Sequence, residues 1–68
     1  MNKWEYIYTQ HSTLIGNVIN TNGKVIAKGQ KMEDFIQYCN ELGSQGWEAV
    51  GTNNEHGIIG ILLKRPKN

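Results

Sequence analysis

Five side chains in this sequence are of types that could do chemistry: Cys39 as a nucleophile, His11 and His56 as proton carriers, and Glu5 with Glu48 as a carboxylate pair. A thiolate nucleophile needs a neighbour that lowers its pKa, usually a histidine or another cation. Cys39 instead falls among Met32, Phe35, Ile36 and Leu42 in the apolar row of M-E-D-F-I-Q-Y-C-N-E-L, where a buried cysteine packs as a small hydrophobe. Neither histidine has residues spaced around it as a triad or a metal set requires. His11 is expected in a loop and His56 in the turn N-N-E-H-G, both as exposed polar residues. Glu5 and Glu48 each follow a tryptophan, and on neighbouring strands two carboxylates could act as general acid and base. Solvent-facing sheet charges account for them equally well. No catalytic residue, metal site or cofactor is expected.

A second set suits binding better. Trp4, Tyr6 and Tyr8 alternate along the first stretch, while Lys64, Arg65 and Lys67 flank Pro66, with Lys3 close by if the first and last strands pair. Aromatic faces beside cations are what a nucleobase and its phosphates require. The candidate ligand-binding residues are therefore Trp4, Tyr6, Tyr8, Lys24, Lys64 and Arg65, with Lys28 as the alternative to Lys24. An aromatic would stack on a ring while the cations neutralise phosphate. In the simpler expectation the aromatic row packs against Phe35 and Ile36, Trp47 is core as well, and the basic residues are a solvated end that blunts a sheet edge. Should the row face away from the helix, it becomes the surface for a second copy or the wall of an intersubunit pocket.

Composition narrows the choice. Sixty-eight residues are expected to make one domain, of a size that buries only about 60% of its unfolded surface. One cysteine and two histidines supply neither an internal disulfide nor a structural zinc site, so association with a second copy is the remaining common route to added stability. Seven Lys and Arg against six Asp and Glu leave a formal charge of +1, dispersed until the last few residues. Strong nucleic-acid binding is not expected from that balance. The longest apolar run, Ile58 to Leu63, is far short of the ~20 residues of a membrane helix. Lys3 leads into alternating polar and aromatic residues rather than the apolar core of a signal peptide. A cytoplasmic protein without membrane attachment is the expectation.

The elements that must position these residues follow from periodicity. Lys3 to Gln10 alternates and is rich in strand formers, with Trp4, Tyr6 and Tyr8 on one face and Glu5, Ile7 and Thr9 on the other. His11 to Ile15 has no clear period and reads as a loop or a lead-in. Asn22-Gly23 between N-V-I-N and K-V-I-A signals a type I′ hairpin, since both residues accept positive φ. Its register would set Thr21 against Lys24, Ile19 against Ile26 and Val18 against Ala27, with Gly16 and Gly29 as brackets. A helix from about Lys31 follows, with no good N-cap but with Glu33 and Asp34 in its first turn. It should stop at Gly43 in the left-handed position, with Gly46 allowing a second adjustment before Trp47. Trp47 to Thr52 and Ile58 to Arg65 form a terminal hairpin around Asn53 to Gly57, and Pro66 ends the ladder for want of an amide hydrogen. The fold class is α+β: a single antiparallel sheet of about four or five strands with one amphipathic helix on one face. Ile58 and Leu62 fall on one side of the last strand and Ile59, Ile61 and Leu63 on the other. A strand apolar on both faces is normally buried on both, so the face without the helix should meet another copy, most simply as a two-fold dimer.

Three stretches, W-E-Y near the start, E-L-G-S-Q-G-W-E-A-V after the helix and a closing K-R-P, resemble the small bacterial and phage proteins grouped as domain of unknown function 4177. Trp4, Glu5, Tyr6, Asn40, Leu42, Gly43, Gly46, Trp47, Glu48, Val50, Lys64, Arg65 and Pro66 match that family's pattern. Ala49 stands where leucine is usual, Tyr8 where an aliphatic residue is common, and the Asn22-Gly23 hairpin is longer than the family's link. The resemblance implies the fold and no activity.

Together these point to a non-enzymatic binding module, a homodimer or higher oligomer that sequesters or senses a small anionic, nucleotide-like ligand at a subunit interface. A protein-interaction module acting through a sheet edge or the helix face is the alternative. An enzyme ranks last, because it would need Glu5, Glu48, His11 or His56 to converge in one cleft.

Overall fold

The computed structural model describes residues 3–14 and 16–67. Five strands, β1 (Lys3–Ser12), β2 (Val18–Thr21), β3 (Lys24–Ala27), β4 (Glu48–Glu55) and β5 (Ile58–Lys67), form one antiparallel sheet in the order β3-β2-β1-β5-β4. The helix α1 (Met32–Ser44) lies between β3 and β4 in the chain. This is the α+β fold expected from the periodicity. The first and last strands are the centre of the sheet, paired along ten residues from Lys3↔Lys67 to Ser12↔Ile58.

His11 is not in a loop. β1 runs on through Ser12, and His11 pairs with Ile19 on one side and Ile59 on the other. Only 1% of it is exposed. Ile15, the last residue of that segment without clear period, lies outside the described residues. Gly16 and Gly29 do bracket the β2–β3 hairpin, and they do so as a pair: both have positive φ, and the Gly29 amide donates to the Gly16 carbonyl at 3.0 Å. Asn22 and Gly23 turn the hairpin with φ of 53° and 82°. Thr21 meets Lys24 as expected, but a bulge between Ile19 and Asn20 then sets Ile19 against Ala27. Ile26, expected opposite Ile19, is exposed instead.

At the start of α1 the Asp34 carboxylate accepts from the Lys31 amide at 2.8 Å, which supplies half of a capping box where no N-cap side chain is available. At its end Gly43 remains helical, and Gly46 takes the left-handed position with φ of 94°. The Trp47 amide closes the turn on the Leu42 carbonyl. The expected stop at Gly43 is therefore three residues early, because the carbonyls of Leu42 and Gly43 are already paired by Gln45, Gly46 and Trp47. Phe35 and Leu42 of the apolar row are buried and Met32 and Cys39 half-buried, whereas Ile36 is 54% exposed. Tyr38 takes its place against the sheet, its hydroxyl 3.0 Å from that of Thr21.

Pro66 does not end the ladder either, since it stands opposite Trp4. β4 reaches only to Glu48↔Lys64, so at Pro66 one side of β5 faces no strand, and that is the side on which a missing amide hydrogen costs nothing. The terminal hairpin is longer than expected, with Asn53 to Glu55 in β4 and only His56-Gly57 at the turn.

Candidate functional site

Alternation along β1 decides the site. Thr9 and His11 are fully buried under the helix, His11 stacking on Phe35 with ring centroids 5.5 Å apart. Side chains reverse at each step of a strand, so Trp4, Tyr6 and Tyr8 project from the opposite, uncovered face. The expected packing of this row against Phe35 and Ile36 is thereby overturned. Trp4 is 42% exposed and Tyr6 56%. The register gathers the aliphatic residues Ile19, Ile59, Ile61 and Leu63 beside Thr9 and His11 on the helix side, a larger apolar set than the aromatic row has around it.

Register and face sort the candidate cations. Lys64 pairs with Tyr6, and its Nζ lies 4.1 Å from the centroid of the Trp4 ring, a cation–π distance. Lys64 thus belongs to the aromatic row. Arg65 points to the helix side, where its guanidinium lies over Trp47 at 4.3 Å, bonds Glu5 at 3.2 Å and donates to the Gln45 carbonyl. Lys24 pairs with Thr21 in the outer hairpin, on the face that Thr21 turns toward Tyr38. Neither joins the row. Lys28 does reach the uncovered face, lining a trough of about 320 Å³ with Val18, Val25 and Ile58.

Tyr8 is fixed most firmly of the three aromatics. Asn22 at the neighbouring turn accepts from its amide at 2.9 Å through Oδ1 and donates its own amide to the Tyr8 carbonyl at 2.8 Å. The Tyr8 ring lies across Gly60, so close that a Cβ at position 60 would come within 2.6 Å of Cζ. Beside it is a hollow of about 170 Å³, walled by Gln10, Asn53, Glu55, His56 and Ile58. None of these five was a ligand-binding candidate from sequence. The available signal was Gly60 itself, because a glycine inside an apolar strand marks a close approach.

The residues considered for catalysis do not meet. Glu5 pairs with Arg65 and Glu48 with Lys64, on opposite faces of the sheet and on strands separated by β5. His11 is enclosed by the core, with its Nε2 2.6 Å from the Gln30 carbonyl; a carbonyl only accepts, so Nε2 carries the proton. His56 turns the terminal hairpin beside Glu55 at 3.7 Å. Burial pushes the Cys39 thiol above its ordinary value, away from nucleophilic character. Among the described residues no group of three acidic, histidine or cysteine side chains could hold a metal ion, and no helix is long and apolar enough to cross a membrane.

One corner of the sheet gathers the three stretches that carry the family resemblance. Trp4 stands opposite Pro66, Glu5 opposite Arg65, Glu48 opposite Lys64, and Arg65 covers Trp47. These contacts are structural on both faces. Comparison of the chain with family models, with curated proteins and with solved structures returns no match. Fold and site define a class only: a one-helix, five-strand α+β domain with one sheet face uncovered.

Proposed function

We propose that this protein is a non-enzymatic binding module whose uncovered sheet face pairs with a second copy and holds a small anionic, nucleotide-like ligand between the two. The observation that carries this reading is the row Trp4, Tyr6 and Tyr8 standing outside the core with Lys64 beside it. Aromatic rings stack on planar heterocycles whatever their identity, and a lysine at the end of the row meets phosphate. Area supports the second copy. The ten-pair β1–β5 ladder is about 30 Å long, and four or five strands span about 20 Å, which gives roughly 600 Å² of face. A stable interface takes about 800 Å² of accessible surface per partner, which a side-chain-covered face of that size approaches.

Calorimetry with mono-, di- and cyclic nucleotides tests the reading. Binding is expected to weaken about tenfold or more in Tyr6→Ala and Lys64→Ala, as loss of a stacking or phosphate contact does. Absence of heat at millimolar ligand overturns it.

A second reading has its own observation. β4 is a sheet edge whose eight residues are all exposed, and it carries neither proline nor lysine to blunt it. It could take a partner's strand as an added ladder. Proline at an outward-facing amide of β4 would abolish that mode and leave nucleotide binding unchanged.

A further inference from the structure

The uncovered face is not uniform. Register sets Gln10 on one side of Gly60 and Asn53 on the other, so two carboxamides stand about 10 Å apart at the backbone, two strand spacings, with no side chain from the strand between them. The next row places Glu55 against Ile58 on this same face. Tyr8 leans into the space above Gly60. Among the described residues the Gln10 and Asn53 amides and the Tyr8 hydroxyl bond no other side chain.

At about 170 Å³ the hollow is below the ~300 Å³ at which drug-sized ligands are held. It has room for one planar ring system. Ile58 and the Tyr8 ring supply apolar surface for its faces, and the polar groups stand at its edges. Glu55 is the discriminating one, because an ionised carboxylate only accepts. A ligand edge turned toward it must present N–H donors, and two adjacent donors satisfy both oxygens. A carboxamide beside it can donate to a ring carbonyl. An imide edge such as uracil's would bring a carbonyl against the carboxylate.

Resting on the binding reading above, we infer that the hollow over Gly60 is the base-recognition subsite of this face, and that it selects a heterocycle with an exocyclic amine beside a ring N–H, the guanine edge. Lys64 lies four residues further along β5, about 13 Å away. A sugar-phosphate arm and the flexible lysine stem close that gap from its two ends.

Guanosine and inosine monophosphates differ by that amine alone. Calorimetry should find the guanosine nucleotide about tenfold tighter on the unaltered protein, the discrimination of one well-placed contact. Glu55→Gln should weaken both, since each presents the ring N–H, but the guanosine nucleotide more, bringing the two within about threefold. Lys64→Ala, in the same series, should weaken both equally and leave their ratio intact. Equal affinities on the unaltered protein, or a ratio that Glu55→Gln does not move, would overturn the subsite while leaving the binding module standing. No binding of either nucleotide at millimolar concentration removes the subsite, and no heat from any of the mono-, di- and cyclic nucleotides removes the binding module with it.

Discussion

The two faces of this sheet are made from the same strands and organised by opposite rules. Under α1 the side chains are moderate in size and their polar groups largely bonded, His11 Nδ1 being the buried exception. Ile19, Phe35, Leu42 and Leu63 form the apolar core, and the Thr9 hydroxyl reaches the Asn20 carbonyl at 3.2 Å and the Thr21 hydroxyl at 2.9 Å, which continues to Tyr38. On the other face stand Trp4, Tyr6, Val25 and Leu62, all exposed, beside the carboxamides of Gln10 and Asn53, which bond no other side chain among the described residues. The bulkiest residues of β1 thus lie where no element among the described residues covers them. Burying an aromatic is among the largest contributions available to a small core, so their placement outside is the sharpest functional signal in the molecule.

Truncation on each face breaks or sharpens this contrast most directly. Phe35 is 2% exposed and stacks on His11; Phe35→Ala should cost about 3–5 kcal/mol. A chain of this length has a total stability of about 3–10 kcal/mol, so the variant should be largely unfolded by circular dichroism in mild urea. Tyr6→Ala, a residue of similar size, should cost under about 1 kcal/mol in dilute solution. Equal losses in urea melts would mean that the two faces are not different in kind.

A smaller effect separates bonded polar groups from solvated ones. Thr9→Val keeps the shape of a fully buried residue and removes the hydroxyl that links Asn20 and Thr21, for an expected loss of about 1–3 kcal/mol. Substituting Gln10 by leucine on the opposite face should cost almost nothing. Urea midpoints compare the pair, and a neutral Thr9→Val would show that the hydroxyl relay does not hold the covered face.

Much of the fold was legible because it rests on local rules. Asn22-Gly23 announces its hairpin, the alternation of Lys3 to Gln10 announces a strand, and the spacing of Phe35, Cys39 and Leu42 announces the helix. Alternation defines two faces, however, and does not say which one the helix will meet. Aromatic area favoured the one side, but pairing with β2 and β5 gathers Ile19, Ile59, Ile61 and Leu63 on the other, and that is the side the helix covers. His11 was illegible because H-S-T-L-I has no period once the strand nears its end. The bulges at Ile26 and at Val50 shift register without a sequence marker, and the hollow over Gly60 exists only in register. It depends on a two-residue turn in which His56 accepts a φ of 50°, a choice that the more obvious asparagine and glycine of N-N-E-H-G conceal.

The smallest expected effect lies at the margin of the covered face, where Cys39 is half-buried. Burial raises its pKa above the ordinary 9.0, because the thiolate would lose hydration. The folded state therefore holds this proton more tightly than the unfolded chain does. Linkage gives the sign: the contribution is fully present below pH 9 and is lost as pH rises through the folded value. Cys39→Ser should remove that alkaline dependence from urea midpoints measured between pH 8 and pH 10.5 and leave the rest of the profile in place. Iodoacetamide should label the native thiol more slowly than the urea-unfolded one at pH 8.5, since alkylation needs the thiolate. Equal labelling rates would place Cys39 with the solvated side chains and narrow the covered face to Phe35, Leu42 and the strands beneath them.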